Sequence, residues 1–425
     1  MLVLGLVAAA CGSSGDDTGT ASTEGATGGT SATGGDGAAA PEGDPIVLGG
    51  VLPFSGPQAS TGELGQQGAD LAVKLINAKG GVLGRPLEIE YKDTQAIADE
   101  DVAKVREFHE EGVDLTFGYT TSSGCLAVAP IADQLEMVML SAYCQTNKAT
   151  GENFSEAFFR ATTNAEIITR SLAKAMQERE PQATQWVSIS PDYEYGHNTV
   201  TVFKNEMGAE VDGFAMLAET WPPFQSPTYN DYITQVSNEP AQGVFSSLYA
   251  GDMLNMLKQQ KPFGLLEGKV FATIGMDLDV IGPMAASGDL PPTWDAIVYY
   301  APAFSNPAND EFVAAFNEEY GIDPTFYPAT NYIAVLAYAA AIEKAGSAEP
   351  AAVREALKGL TFDTPLGSTT IRAEDHQAVF ESIAVIKLEP TDGGGYEVAD
   401  TVLVTGDDVT SPPNPGEQNP FDVES

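Results

Sequence analysis

Positive charge is scarce in this chain. Its 425 residues include 20 Lys and Arg against 60 Asp and Glu, which gives a formal net charge of -40. The electrostatic field of so large a negative charge repels phosphate backbones and anionic lipid head groups. The composition therefore argues against nucleic-acid binding. Hydrophobic residues still make up 43% of the chain, enough for a large core. This length exceeds what one core usually supports and predicts two or more domains.

Histidine is also scarce. His109, His197 and His376 show no metal-ligand spacing, and none lies close in sequence to a cysteine that could act as a nucleophile. No G-x-S-x-G elbow precedes a predicted helix, and residues 62–68 lack the spacing of a dinucleotide-binding loop. We therefore expect no catalytic residue, no metal site and no cofactor.

The apolar stretch at the N-terminus is too short to cross a bilayer. Residues 2–10 fall far below the ~20 apolar residues that a membrane span needs and are typical of an export signal. The run Ala-Ala-Ala-Cys-Gly over residues 8–12 resembles a bacterial lipobox, in which the cysteine carries the lipid. We expect a lipoprotein signal over 1–11 with lipid on Cys11; the alternative is an ordinary secretory signal with an incidental cysteine.

Two segments have the composition of flexible chain. Residues 12–44 contain no aromatic residue and no aliphatic residue larger than Ala, so they cannot bury enough surface to offset their ordering entropy. We expect a tether there, and a flexible acidic tail over 405–425, where four prolines fall among acidic residues.

Between these segments, strand-like and helix-like patterns alternate. Strands separated by single helices need crossover connections, which predicts α/β architecture with doubly wound parallel sheets covered on both faces. The alternation runs twice, so we expect two lobes. The first takes residues 45–160 plus 300–374, and the second takes 161–299 plus 375–404.

Several motifs occur in a characteristic order. The most specific is Leu-Ile-Asn-Ala-Lys-Gly-Gly-Val-Leu-Gly-Arg-Pro-Leu over residues 75–87, followed by Asp93. Four further motifs follow the same order along the chain: residues 53–56 (Pro-Phe-Ser-Gly), 122–130, 195–196 (Tyr-Gly) and 249–254. In order and spacing, the chain resembles the type I periplasmic binding proteins, specifically the branched-chain amino acid branch of ABC-transporter receptors. The resemblance implies two lobes joined by three strands, with a ligand enclosed in the cleft between them.

The carboxyl ends of parallel strands are where open α/β sheets bind ligands, and polar residues follow several predicted strands. Ser122 and Ser123 precede a predicted helix, whose free N–H groups would favour a carboxylate. The resemblance implies that Ser123 (or Ser122), Ala142 and Cys144 hold an α-carboxylate. The alternative for Ser123 is a helix N-cap.

An ammonium group in a dry cleft needs an anion. Asp277 directly follows a predicted strand and is our candidate, with Asp252 and Asp192 as rivals and a helix-capping role as the alternative. Three tyrosines are expected to wall the pocket, each with core packing as its alternative: Tyr143, Tyr193 and Tyr249.

Cys125 and Cys144 follow neighbouring predicted strands. In an exported protein this placement predicts a disulfide. The sequence thus predicts a lipid-anchored, extracytoplasmic and monomeric receptor that captures a small amino acid or a related amide or carboxylate for an ABC permease and ATPase complex. The alternatives are a sensory subunit without a transporter and, least favoured, an enzyme on the same fold.

Overall fold

The computed structural model of the protein describes residues 40–419. Its first half begins with buried apolar strands, as expected for the interior of a parallel sheet. The elements in chain order are β1 (Ile46–Leu52), α1 (Ala59–Ala78), β2 (Leu87–Asp93), α2 (Ala98–Glu110), β3 (Leu115–Gly118), α3 (Ser122–Gln134), β4 (Val138–Ser141) and β5 (Phe158–Arg160).

These five strands form one parallel sheet in the order β2-β1-β3-β4-β5. Its faces are buried in two different apolar clusters. Leu48 and Leu115 belong to the larger cluster, while Val51 and Phe108 belong to the one built with α2 and α3. The prediction of a doubly wound sheet covered on both faces is confirmed for this part of the chain.

The chain then builds a second sheet. Its elements are α4 (Ala165–Arg179), β6 (Gln185–Ile189), α5 (Glu194–Glu210), β7 (Ala215–Thr220), α6 (Asn230–Ser237), β8 (Gly243–Ser246), α7 (Ala250–Gln260), β9 (Val270–Thr273), α8 (Leu278–Ala286) and β10 (Thr293–Val298). Short 3-10 turns occur at Asn147–Thr150, Lys261–Phe263 and Ala301–Ala303.

The remaining elements return to the first sheet and then rejoin the second. They are α9 (Pro307–Tyr320), α10 (Phe326–Ala345), α11 (Pro350–Leu357), β11 (Thr361–Thr364), β12 (Gly367–Ile371), β13 (Ala378–Phe380), β14 (Ser382–Thr391), β15 (Gly395–Thr405) and α12 (Gly406–Val409). Helix α10 packs on α1 and β3, and α11 packs on α10 and β4. We call the five-stranded sheet with α1–α3 and α9–α11 the first lobe, and the other sheet with α4–α8 and α12 the second lobe.

The second sheet departs from the predicted all-parallel arrangement. Its seven strands run in the order β15-β14-β10-β9-β8-β6-β7, and β14 and β15 form an antiparallel hairpin on its edge. The two strands follow each other directly, without a crossover helix, so only an antiparallel pairing is open to them. The strand and helix alternation that indicates parallel pairing ends at β10.

The chain passes between the lobes three times, after β5, after β10 and after β13. The last passage differs from the predicted boundary at residue 375. Strand β13 pairs with β12 in a small antiparallel sheet beside α9 and α10, and Gln377 forms a bridge with Arg160. The buried Arg160 guanidinium also donates to the main-chain oxygen of Cys144 at 3.0 Å. Residues 375–380 therefore lie with the first lobe.

The predicted bounds of both flexible segments include residues that belong to the folded body. Glu42 donates its amide to the Gly84 oxygen at 2.8 Å, so the end of the expected tether is already attached to the turn after α1. In the expected tail, Val409 is fully buried and Asn419 donates to the carboxylate of Glu166 at 3.0 Å. Polar side chains and main-chain groups thus hold residues that composition alone marks as unstructured. The rest of both segments lies outside the described residues, as does Cys11.

No helix within residues 40–419 combines the length and the apolar character needed to cross a membrane.

Candidate functional site

A cavity lies where the carboxyl ends of the two sheets face each other. The first lobe contributes Thr120, Ser122, Tyr143, Gln145, Phe326 and Tyr327. The second lobe contributes Ile168, Tyr193, Tyr195, Tyr249, residues 274–277 and residues 295–297. The position agrees with the rule for open α/β sheets from which the site was predicted.

Helix α3 includes both serines that were expected to precede it, and its start decides which serine faces the cavity. Thr121 is the N-cap and accepts the Gly124 amide at 3.0 Å. Ser122 is the first helical residue, is 2% exposed and lines the cavity. Ser123 is exposed instead, and its hydroxyl donates to the Thr121 hydroxyl at 3.2 Å. Of the two predicted serines, the structure brings only Ser122 to the pocket.

Ala142 and Cys144, the other two groups expected at a carboxylate, are not among the lining residues. The Ala142 amide donates to the Gly118 oxygen at 2.9 Å, and Cys144 is joined to Cys125 in a disulfide. Both positions are completely buried in packing. The next residue, Gln145, reaches the cavity, and its side-chain oxygen has no hydrogen-bond partner within residues 40–419.

Tyr143 lines the cavity with its ring, because its hydroxyl is used elsewhere. The hydroxyl donates to the Thr61 oxygen in α1 at 2.8 Å. This bond requires glycine at position 65, where a Cβ would lie 1.8 Å from the Tyr143 hydroxyl oxygen. Burial raises the pKa of Tyr143 well above its usual value, so the phenol stays neutral. The ring meets Tyr327 edge to face, with ring centres 5.3 Å apart.

On the opposite side, tyrosines of the second lobe form a cluster. The hydroxyls of Tyr193 and Tyr249 lie 3.2 Å apart, and the Tyr195 ring meets Tyr249 edge to face at 6.1 Å. Phe224 packs behind Tyr193 at 5.4 Å. Desolvation raises the pKa of Tyr193 and of Tyr249, so both remain neutral donors and acceptors. Both predicted tyrosines therefore reach the cavity, together with Tyr195, whose Tyr-Gly motif favoured packing at a helix start over a place in the pocket wall.

Asp277 lies in the cavity wall just after β9 and is 1% exposed. Its main-chain oxygen accepts the amides of Val280 and Ile281 at the start of α8. Its carboxylate, however, accepts the Tyr327 amide at 3.1 Å, in the first turn of α10 on the other lobe. Asp277 thus joins the two lobes as well as facing the cavity.

Asp192 and Asp252, the rival acids, are not among the lining residues. Asp252 accepts the Gln225 amide at 2.9 Å, and Asp192 pairs with His197 at 2.9 Å. Both already serve local contacts. Asp277 is the one predicted acid that the structure brings to the cavity.

Sequence analysis missed the second acid of the cavity, Asp295. It lies inside β10 and is fully buried, and its carboxyl oxygens make no well-formed hydrogen bond in the described part of the chain, although the Met276 and Gly275 amides lie close by. Burial raises its pKa well above the usual value, and the nearby Asp277 charge raises it further. The amides of Met276 and Gly275 offset this only in part. The available signal was an Asp within the apolar run Trp-Asp-Ala-Ile-Val.

The aromatic pair Phe326 and Tyr327 was also missed. Both stand at the start of α10, and their chain position gave no reason to place them beside residues near 143 or 277. None of the three histidines lines the cavity, and no group of His, Cys, Asp and Glu suited to a metal ion occurs within residues 40–419. The geometry is that of a site that encloses a small molecule.

Comparison with known proteins agrees with this geometry. Residues 45–394 match the family described as periplasmic binding protein. This chain belongs to that family. The resemblance to the branched-chain amino acid branch is confirmed, because the relatives include the leucine-, isoleucine-, valine-, threonine- and alanine-binding protein of Pseudomonas aeruginosa. That protein is 26% identical over 330 residues, which cover 76% of this chain and 85% of the relative.

Two solved structures show the same fold. One is an amino acid ABC transporter substrate-binding protein from Pseudomonas fluorescens Pf-5, with TM-score 0.74 and 25% identity, covering 86% of this chain and 97% of the other. The other is a solute-binding protein from Rhodopseudomonas palustris BisB5 in complex with 3,4-dihydroxybenzoic acid, with TM-score 0.74 and 24% identity, covering 85% and 98%. The chain is therefore a solute-binding protein of an extracytoplasmic family, and this family binds ligands rather than catalysing reactions.

Proposed function

We propose that the protein is an extracytoplasmic receptor, held at the membrane by lipid on Cys11, that encloses a small amino acid or a related amide or carboxylate between its lobes. It acts as a monomer and delivers the ligand to an ABC permease and ATPase complex. The observation that carries the proposal is a single cavity lined from both lobes by hydroxyl, aromatic and carboxyl groups. The names of the relatives support the ligand class.

Each end of an amino acid has a matching group in the cavity. The Ser122 hydroxyl and the first amides of α3 suit the carboxylate, since a helix N-terminus favours an anion. Asp277, from the other lobe, suits the ammonium group. Tyr143, Tyr193 and Tyr249 provide flat walls. A ligand that bridges both lobes stabilises the closed state, because each lobe alone offers half of the contacts.

An aromatic acid without an amino group is the second candidate, since aromatic rings line both sides of the cavity and one structural neighbour binds dihydroxybenzoic acid. The charges favour the amino acid. Among the described lining residues there is no Lys, Arg or His, whereas Asp277 and Asp295 are both present. An aromatic acid carries a carboxylate but no ammonium group. In this cavity its carboxylate would lie near two acids, with no cationic group to offset the repulsion.

A thermal-shift screen of the full chain tests this proposal. The panel contains the twenty common amino acids, their amides, and 4-hydroxybenzoate as an acid without an amino group. A ligand that binds only the folded form stabilises it by about 2.7 kcal/mol at one hundred times its Kd, which raises Tm. We expect at least one amine-bearing compound to raise Tm. A panel in which only 4-hydroxybenzoate does so refutes the assignment of the ligand class.

A further inference from the structure

The cavity contains one acidic group to which the proposed function assigns no contact with the ligand. Asp295 lies in the interior of β10, which pairs with β9 on one side and β14 on the other. A strand in this position is normally apolar, and the other residues of β10 are Thr, Trp, Ala, Ile and Val. No side chain among the described residues pairs with this acid; only the main-chain amides of Met276 and Gly275 lie close to it.

Asp295 and Asp277 differ in how their carboxyl oxygens are used. Asp277 already accepts the Tyr327 amide across the cleft. Neither oxygen of the fully buried Asp295 makes a well-formed hydrogen bond within residues 40–419, although the Met276 and Gly275 amides lie close by, and the residue lines the cavity. Leaving a buried polar group unpaired costs free energy, so such a group in a binding cavity calls for a partner that arrives with the ligand.

Two further buried polar atoms face the same cavity without a partner among the described residues. They are the Thr120 hydroxyl and the side-chain oxygen of Gln145, both in the first lobe. Thus the cavity leaves polar atoms unpaired on both of its sides, and the acids lie together on one of them. This distribution fits a ligand with a cationic nitrogen directed at the second lobe and acceptor or donor groups directed at the first.

We propose that Asp295 is a ligand-binding and specificity-determining residue, which together with Asp277 forms a two-carboxyl site for the N–H groups of a cationic nitrogen. The inference rests on the proposed function and narrows it. A primary ammonium group has three N–H donors and can serve both carboxyls, whereas a carboxylate-only ligand brings no cationic donor to either. The site therefore selects amine-bearing compounds over aromatic acids of the same size.

The test compares the wild type with Asp295→Asn, Asp295→Leu and Asp277→Ala, by calorimetry with the amino acid that raises the wild-type Tm most. Asp295→Asn keeps the shape but removes the ionisable carboxyl, and we expect its affinity to fall about 30-fold or more. Ligand-free Asp295→Leu should melt at the wild-type Tm or above, since it replaces an unpaired polar group with an apolar one of similar shape. Asp277→Ala should melt lower, because the Tyr327 amide loses its acceptor.

Two results overturn the inference: Asp295→Asn binding within twofold of the wild type, or ligand-free Asp295→Leu melting well below it. The second result would mean that Asp295 stabilises the ligand-free fold, for example by a hydrogen bond to a buried water. Failure of the proposed function looks different, because then no amine-bearing compound raises the Tm of the wild type itself.

Discussion

The disulfide between Cys125 and Cys144 allows a quantitative prediction of stability. The two residues are 19 apart in sequence, and the bond closes a loop of about 20 residues in the unfolded chain. Restricting a loop of this size stabilises the folded state by about 3 kcal/mol in the chain-entropy account. The loop includes α3 from Cys125 onward, β4 and the pocket residue Tyr143. We therefore expect reduction to lower the free energy of unfolding by about that amount.

Equilibrium unfolding in guanidinium chloride, with and without reductant throughout, measures this difference. The matched control is Cys125→Ala with Cys144→Ala, whose stability should not respond to reductant. Ligand affinity should change little on reduction, because Arg160 still holds the main-chain oxygens of Cys144 and Thr146. A difference below about 1 kcal/mol between the oxidised and reduced wild type refutes the chain-entropy account for this bond. Free alkylatable thiols in exported protein refute the bond itself.

Three other predictions follow from single residues. Ser122→Ala should weaken binding of an amino acid by about 1–2 kcal/mol, whereas the exposed neighbour Ser123→Ala should leave it unchanged; calorimetry on the pair checks which serine faces the ligand. Burial raises the pKa of Asp101 to about 7, so the folded state keeps a proton that the unfolded state releases near pH 4. The wild type should therefore lose about 3 kcal/mol relative to Asp101→Asn between pH 5 and pH 8, measured by chemical unfolding; equal pH profiles contradict this. Cys11→Ser should move the protein from the membrane fraction to the soluble fraction, and identical fractionation of both proteins argues against the lipid anchor.

Much of the fold could be predicted from local patterns. Apolar strands that alternate with single helices predict parallel pairing, because successive strands must then be joined by crossover connections. The same logic predicted that the carboxyl ends of the strands meet, and so brought Tyr143, Tyr193, Tyr249 and Asp277 to one cleft. The β14–β15 hairpin escaped this logic, because its strands follow each other without a helix between them.

Which side chains enter the cavity was decided only by tertiary structure. Successive residues of a helix point about 100° apart, so the start of α3 at Ser122 turns Ser123 away from the cleft. Tyr327 reaches Asp277 because α10 returns to the first lobe from a distant part of the chain. The sequence shows Asp295 as an acid within an apolar strand. That no side chain pairs with its carboxyl depends on what β9, β14 and the cavity place around it, and no local pattern encodes those distances.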